Sequence, residues 1–390
     1  MSAKGSPQGD ICALSTGGLT VAIPGSTEMM MARFMLDDGW VVATPSDVGL
    51  DAARLSGLDA FLRHWPRRNV HAVVIVRRGK LVFERYYRGR ERRWMEWGTP
   101  VQFSPETKHD IRSISKSVTS LLIGIAVSED TFPPLTSPVI DYFPEYGDLR
   151  TTSNAQITFQ HLLTMSHGLR WDESPGWKSQ ANNERKLLEA KDPYRYVLEQ
   201  RMALPPGVSF NYSGGATSLL SAALARCTGK RIDAFAREKL FEPLGITDVE
   251  WLSFTGSAEL AAFAGLRLRP RDLAKLGQLM NANGRWNGTQ TVPAWWISES
   301  TKPRINAEGQ GALYYGYQWW LGRSLFNGHD LTWTAGFGSG GQRLFIVPEL
   351  DLVVVVNAFD HRYSIPLAIL NRFVLPAVTD YPPFSAQSVR

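Results

Sequence analysis

Ser113 and Lys116 stand three residues apart in the stretch Asp110 to Ile125, which reads D-I-R-S-I-S-K-S-V-T-S-L-L-I-G-I. A serine alcohol is a weak nucleophile at neutral pH and needs a base beside it. A lysine amine can be that base once burial or a neighbouring cation lowers its proton affinity. Val118, Leu121, Leu122 and Ile125 follow at three- and four-residue steps. That spacing predicts a helix with Ser113 and Lys116 one turn apart on one face. A serine at the helix N-terminus also lies where free N–H groups favour developing negative charge. One turn could thus supply nucleophile, base and part of an oxyanion hole. The competing reading is a serine cap followed by a solvated lysine. Two features weigh against it: no other lysine in the chain has a serine three residues before it, and the pair leads into the most apolar helical run.

Two further stretches carry polar chemistry. Asn211-Tyr212-Ser213-Gly214 follows the breaker Pro205-Pro206-Gly207. Beside a lysine ammonium the Tyr212 phenol is expected to ionise below its usual pKa of about 10, which suits a shared acid/base role. A turn tyrosine that only packs its ring fits the sequence equally well. Thr334 to Gln342, T-A-G-F-G-S-G-G-Q, contains the spacing G-x-G-x-x-G in Gly336, Gly338 and Gly341. A dinucleotide site needs a helix after those glycines, and the run that follows, R-L-F-I-V, reads as a strand. Glycines flanking a strand instead allow close approach of a ligand backbone. The seven histidines show no paired ligand spacing, so no metal is expected.

These residues must be positioned by a chain of 390 residues, 44% hydrophobic and 20% charged, with 13 Trp, 12 Tyr and 18 Phe. That is ample material for a sizeable core. The net charge of +5 is mild for the length and no long basic run occurs, so nucleic-acid binding is not expected. No uninterrupted apolar stretch of about eighteen residues suggests a membrane span. Cys12 and Cys227 give no disulfide framework, and the N-terminus lacks the apolar core of a secretory signal, so a cytoplasmic protein is expected.

Residues 1–45 read as an extension over the main body. A helix is expected from about Ser46 to Leu62 and a hairpin over His71 to Arg88, turning at Arg78-Gly79. Residues 89–109 read as a loop or lid. Helices follow at Ile157–Met165, Pro193–Met202, Asn211–Cys227, Ile232–Leu240, Pro270–Met280 and Ala294–Thr301. Strands are expected at Tyr315–Leu321, Leu331–Ala335, Gly341–Val347 and Leu352–Asn357, then a helix over Ile365–Leu375. Strands at both ends with helices between imply one sheet built from both termini. The expected division is an α/β lobe from 46–118 and 255–390, a mainly helical lobe from 119–254, and a site between them.

Taken in chain order, Ser113-x-x-Lys116, Tyr212-Ser213-Gly214 and the glycine-rich strand at 336–341 resemble the serine β-lactamase and penicillin-binding-protein superfamily. Supporting phrases are H-L-L-T-M-S-H-G-L at 161–169, L-P-P-G-V-S-F-N-Y-S at 204–213 and G-G-Q-R-L-F-I-V-P at 340–348. The chain looks most like the class C-like branch, with its family VIII esterases and 6-aminohexanoate-dimer hydrolases. The resemblance implies a β-lactamase-like two-lobe α/β (α+β) fold, an antiparallel sheet flanked by helices plus an all-helical lobe. It implies a cofactor-free serine hydrolase that forms an acyl-enzyme on small esters or linear amides such as amino-acid oligomers. Ser113 would attack, Lys116 and Tyr212 would move protons, and the oxyanion would bind N–H groups of Ser113 and of the strand end. That second donor is placed at Ser339, next to Gly338, with Phe337 as the lesser choice. Trp171 falls where related amidohydrolases carry a substrate-side aromatic, core packing being the alternative. Two departures matter: Gly214 stands where lactamases have Asn, and the cation that opens the third motif is missing, with Gly336 in its place. Both argue against efficient β-lactam hydrolysis. A β-lactamase or D-peptidase, and a binding or sensor protein without turnover, are the alternatives. Oligomeric state is left open, a homodimer among the options.

Overall fold

A computed structural model describes residues 35–65, 69–94, 96–307, 312–360 and 364–383. Its centre is an eight-stranded antiparallel sheet. The strands are β1 (Val70–Arg77), β2 (Lys80–Tyr86), β3 (Ile305–Asn306), β4 (Tyr314–Tyr315), β5 (Trp320–Phe326), β6 (His329–Gly338), β7 (Gln342–Val347) and β8 (Leu352–Ala358). Their order is β3-β4-β5-β6-β7-β8-β1-β2, so both ends of the chain meet where β8 pairs with β1. The β1–β2 hairpin turns where Arg78 and Gly79 both adopt positive φ, the arrangement of a tight two-residue connection. The expected strand Tyr315–Leu321 is broken at Gly316–Trp319. There Gly316 passes so close to the Ser300 carbonyl that a Cβ would lie 2.1 Å from it.

The central strands are buried on both faces because their alternation serves two cores. Val74, Val76, Leu344, Ile346, Val353 and Val355 face one, while Val73, Ile75, Phe345, Val347, Val354 and Val356 face the other. Burying a valine side chain is worth about 1.5–3 kcal/mol, which explains why β8 reads as an unbroken L-V-V-V-V run. The second core is closed by α1 (Ala52–His64) and by the C-terminal helical segment from Ser364. The first core holds α2 (Ile114–Ser128), α4 (Gly214–Thr228) and α5 (Pro270–Asn281). Between α2 and α4 comes α3 (Asn183–Glu189), a helix the sequence reading passed over, started by the Asn182 side chain accepting from Arg185 N–H. Gln318 bolts the helical side to the sheet: its backbone carbonyl accepts from Ser117 Oγ at 2.8 Å, and its side chain meets Thr217 Oγ1 and the Leu162 carbonyl.

Of the expected extension, residues 1–34, with Cys12, lie outside the described residues. Residues 35–43 belong to the body: Trp40 is buried, and Val42 bridges to Leu81. Residues 89–109 are not a plain loop. Arg88–Gly89 pairs with Val101–Gln102, and Arg92–Arg93 with Glu96–Trp97. Among the described residues no helix is long and apolar enough to cross a membrane.

Candidate active site

Ser113 is the N-cap residue of α2, yet its side chain makes no capping bond. Five other N-cap residues with short polar side chains, Asp51, Thr158, Asn182, Asp192 and Ser213, accept from their own helices. The Ser113 hydroxyl instead accepts from Lys116 Nζ at 3.0 Å. Lys116 is fully buried, and the same Nζ donates to the Phe263 carbonyl at 3.1 Å. It also lies 4.6 Å from the centre of the Tyr212 ring, close enough for a cation–π contact. The solvated lysine of the competing reading is therefore not what the fold builds.

The turn before Ser113 is held from several sides. Ile111 N–H bonds the Leu266 carbonyl, and His109–Asp110 pairs with Arg267–Leu268. Arg112 takes a left-handed backbone with φ 54°, which costs a non-glycine residue roughly 1 kcal/mol. Its guanidinium donates to the Arg92 and Trp94 carbonyls, both at 2.6 Å, and pairs with Asp110 at 3.3 Å. Asp110 is itself buried and pairs with Arg267, which also engages Glu91 and Glu250. On the sheet side, β5 stops pairing at Ala335 while β7 continues to Gly338. A Cβ at Gly336 would lie 2.9 Å from Ile114 Cγ2, and one at Gly338 only 2.4 Å from the Ile111 carbonyl oxygen. The glycines of this strand thus serve close backbone approach to the serine turn. The strand β7 follows them, as expected, rather than a helix.

Tyr212 lies in the same cluster, its ring packed on Tyr315 and Trp320. The expectation that Lys116 would lower its pKa is corrected: burial dominates and raises it above the usual value, against the lowering by Lys116 and Ser113. The phenol is held as a proton-bearing group. Gly214, in the position of the lactamase Asn, has no room for a side chain, since a Cβ would meet Phe263 Cδ2 at 2.7 Å. Its N–H goes to Glu173 Oε1 at 2.6 Å.

Ser113 and Ser339 line one cavity of about 140 Å³, together with Arg112, Trp177, Glu184 and Leu188. Gly338 sits just behind Ser339 at the end of β6. Trp171 is elsewhere. It is buried in the core, its indole touches the space above Gly215 on α4, and its Nε1 donates to Glu173 at 2.8 Å. It braces the site from behind and does not line the cavity. Sequence reading missed Arg112, Trp177 and Glu184. Arg112 was adjacent to the motif and Glu184 was signalled by the N-cap pattern N-N-E-R-K-L-L-E at 182–189. Among the described residues no group of His, Cys, Asp or Glu could hold a metal ion.

The chain is similar to several known proteins in sequence and in fold. The chain is 24% identical over 336 residues to the 6-aminohexanoate-dimer hydrolase of Paenarthrobacter ureafaciens, covering 80% of this chain and 79% of that one. It is 27% identical over 223 residues to Esterase EstB of Burkholderia gladioli, covering 54% and 55%. Among solved structures, EstCE1, described as a hydrolase with promiscuous acyltransferase activity, superposes with a TM-score of 0.67 at 16% identity, over 84% of this chain and 98% of that one. The family model Beta-lactamase matches residues 58–363, more than half of the chain, and this protein therefore belongs to the beta-lactamase family.

Proposed function

We propose that the protein is a serine hydrolase that works through an acyl-enzyme on small esters or linear amides. The observation that carries this reading is the Ser113 hydroxyl, which leaves its helix uncapped and takes the buried Lys116 Nζ as its partner. In the proposed cycle Lys116, as the free amine, takes the Ser113 proton as the Ser113 oxygen attacks the carbonyl carbon, and the Tyr212 phenol keeps its own proton beside it. The Lys116–Tyr212 pair returns the proton to the departing alcohol or amine. Water then attacks the acyl-serine, gives its proton to the pair, and the acid leaves as the Ser113 hydroxyl is restored. The negative oxygen of each tetrahedral intermediate is assigned to the Ser113 N–H and an N–H at the end of β6, with Ser339 as the chosen donor. A donor of this kind is typically worth about 3 kcal/mol of barrier.

The related hydrolase of 6-aminohexanoate dimer and the related esterase support linear amides and esters as the substrate class. The side-chain-free Gly214 and the missing third-motif cation weigh against β-lactams and D-peptides. We further read the site as lying between an α/β lobe (46–118 and 255–390) and a helical lobe (119–254). The scarcity of cysteine favours a cytoplasmic address.

The test is intact-protein mass spectrometry after treatment with a fluorophosphonate, beside turnover of a nitrophenyl butyrate and of nitrocefin. A single adduct on Ser113, ester turnover lost in Ser113→Ala, and weak nitrocefin turnover are expected. Ester turnover that survives Ser113→Ala would remove the basis of the reading. Nitrocefin turned over as fast as the ester would move it to a β-lactamase.

A further inference from the structure

A second cavity, of about 590 Å³, is lined by Asn69, Arg88, Arg90, Trp97, Pro100 and Phe359. Phe359 also lines the cavity of Ser113, so the two spaces share a wall. That wall is held from both sides. Trp97 meets the Phe359 ring edge-on at 4.8 Å between ring centres, and the Arg112 guanidinium lies 5.9 Å from the ring centre. The floor is fixed by Asn69. Its side-chain amide donates to the Arg90 carbonyl at 2.7 Å and to the Phe359 carbonyl at 2.9 Å, and its Oδ1 accepts from the Arg90 N–H at 2.8 Å. One side chain thus ties the arginine segment to the shared wall. Between the two arginines, a Cβ on Gly89 would fall 2.6 Å from Asn69 Oδ1 and 2.9 Å from His71 Cδ2. Gly89 therefore faces the body, and the alternation of an extended chain turns Arg88 and Arg90 together into the cavity. No acidic residue lines this space. Glu91, next in the chain, is turned to Arg267 and to the Asp110 N–H. Among the described residues the Arg88 guanidinium makes no hydrogen bond and no ion pair. Arg90 gives its Nε to the Gly98 carbonyl at 3.2 Å and lies over the Trp97 ring, with no carboxylate beside it. Two guanidiniums side by side repel, and a carboxylate or phosphate that meets both removes the repulsion through charge-assisted bonds. The Trp97 indole, 53% exposed, offers an apolar face to the body of such a ligand.

We propose that this cavity holds the anionic end of the substrate, so that the enzyme prefers esters and amides carrying a carboxylate or phosphate at a distance from the scissile bond. This rests on the acyl-enzyme reading of Ser113. With the scissile carbonyl at Ser113, the substrate chain runs past Phe359, its apolar part lies against Trp97, and its anion meets Arg88 and Arg90. The preference depends on length, since a carboxylate close to the carbonyl does not reach past Phe359.

The experiment measures kcat/KM on nitrophenyl monoesters of succinic, adipic, suberic and sebacic acid, each beside the same ester with its free acid methylated. A second set places the acid on the leaving group, as butyrate esters of 6-hydroxyhexanoic acid and of its methyl ester. Wild type should prefer the acid over its methyl ester in at least one set by about three- to thirtyfold, between the worth of an exposed ion pair and that of a charged hydrogen bond. If the acyl set shows it, the preference should grow from succinate to the longer acids. The double variant Arg88→Gln with Arg90→Gln should bring the ratio to within twofold. Arg88→Lys with Arg90→Lys keeps the charge without the planar fork and should retain part of it. Calorimetry on Ser113→Ala gives a reading that needs no turnover. Either 6-phenylhexanoate or 4-phenylbutyl phosphate should bind, the one that does identifying the anion as carboxylate or phosphate, and the two glutamine substitutions should abolish the heat. Wild-type ratios within twofold at every length in both sets with neither anion bound, or a preference that survives in the double glutamine variant, would overturn the proposal while leaving the Ser113 reading intact. Wild type inactive on every ester would instead overturn the Ser113 reading, and the proposal with it.

Discussion

Substituting Gly338 by alanine perturbs the site without altering any polar side chain in it. A Cβ built on Gly338 lies 2.4 Å from the Ile111 carbonyl oxygen, 2.8 Å from Gln342 Cβ and 3.1 Å from Arg112 Cβ. Those neighbours are one backbone oxygen and two Cβ atoms, which cannot swing aside as a long side chain can. Against an ordinary contact of roughly 3.4 Å, the shortfall toward Ile111 is about 1 Å. Either β6 or the Ile111–Arg112 turn must move by that amount. The turn is clamped by the Leu266 carbonyl and by the Asp110–Arg267 pair, so the displacement is shared between Ser113 and the strand end opposite it. Overpacking of this kind costs about 1–3 kcal/mol of stability. A misplacement of about 1 Å between reacting groups costs on the order of a hundredfold in rate. Gly338→Ala should therefore melt earlier and show a fall in kcat of that order on nitrophenyl butyrate, with KM changed far less. Gly147→Ala is the control, since nothing lies within 4 Å of its added Cβ, and it should alter stability by less than about 0.5 kcal/mol. A Gly338→Ala enzyme with kcat within threefold of wild type would refute the claim that β6 and the serine turn are locked at contact distance.

Two other outcomes follow from buried charge and protonation. His71 is fully buried, stacked on Phe103 at 4.1 Å between ring centres, and burial lowers its pKa to about 4 despite its bond to the Arg90 carbonyl. Its folded pKa lies below the unfolded value of about 6.5, so the unfolded chain binds the extra proton between those values and stability falls as pH drops through that window. Urea unfolding should show roughly 2–3 kcal/mol of the loss between pH 7 and 4.5 disappearing in His71→Gln, and an unchanged pH slope would count against the assignment. Asp110→Asn removes the carboxylate shared by Arg267 and Arg112 and should destabilise by about 3 kcal/mol, because it leaves buried cations short of charge; a thermal midpoint equal to wild type would show that Glu91 and Glu250 suffice.

Much of the site was legible because its chemistry is local. The Ser113–Lys116 spacing needs only a helix, and the apolar run after it supplies one. The order of Tyr212 and the glycine strand after it fixed the resemblance. The two faces of β1, β7 and β8 were written in the apolar runs A-V-V-I-V, L-F-I-V and L-V-V-V-V, since a strand buried on both sides favours apolar residues on either face. What the sequence could not settle came from contacts between distant segments. Whether Ser113 caps α2 or faces Lys116 depends on the Phe263 carbonyl, 147 residues away from Lys116, which takes part of the Nζ donors. The Tyr212 phenol was expected to fall in pKa from one neighbour, and burial reversed the sign. Trp171 could have lain on either side of the site, and the close approach of Gly215 sent it into the core. The N-cap pattern at 182–189 marks a helix start, but only the fold brings Glu184 on that helix to the cavity of Ser113, because the two are 71 residues apart in the chain.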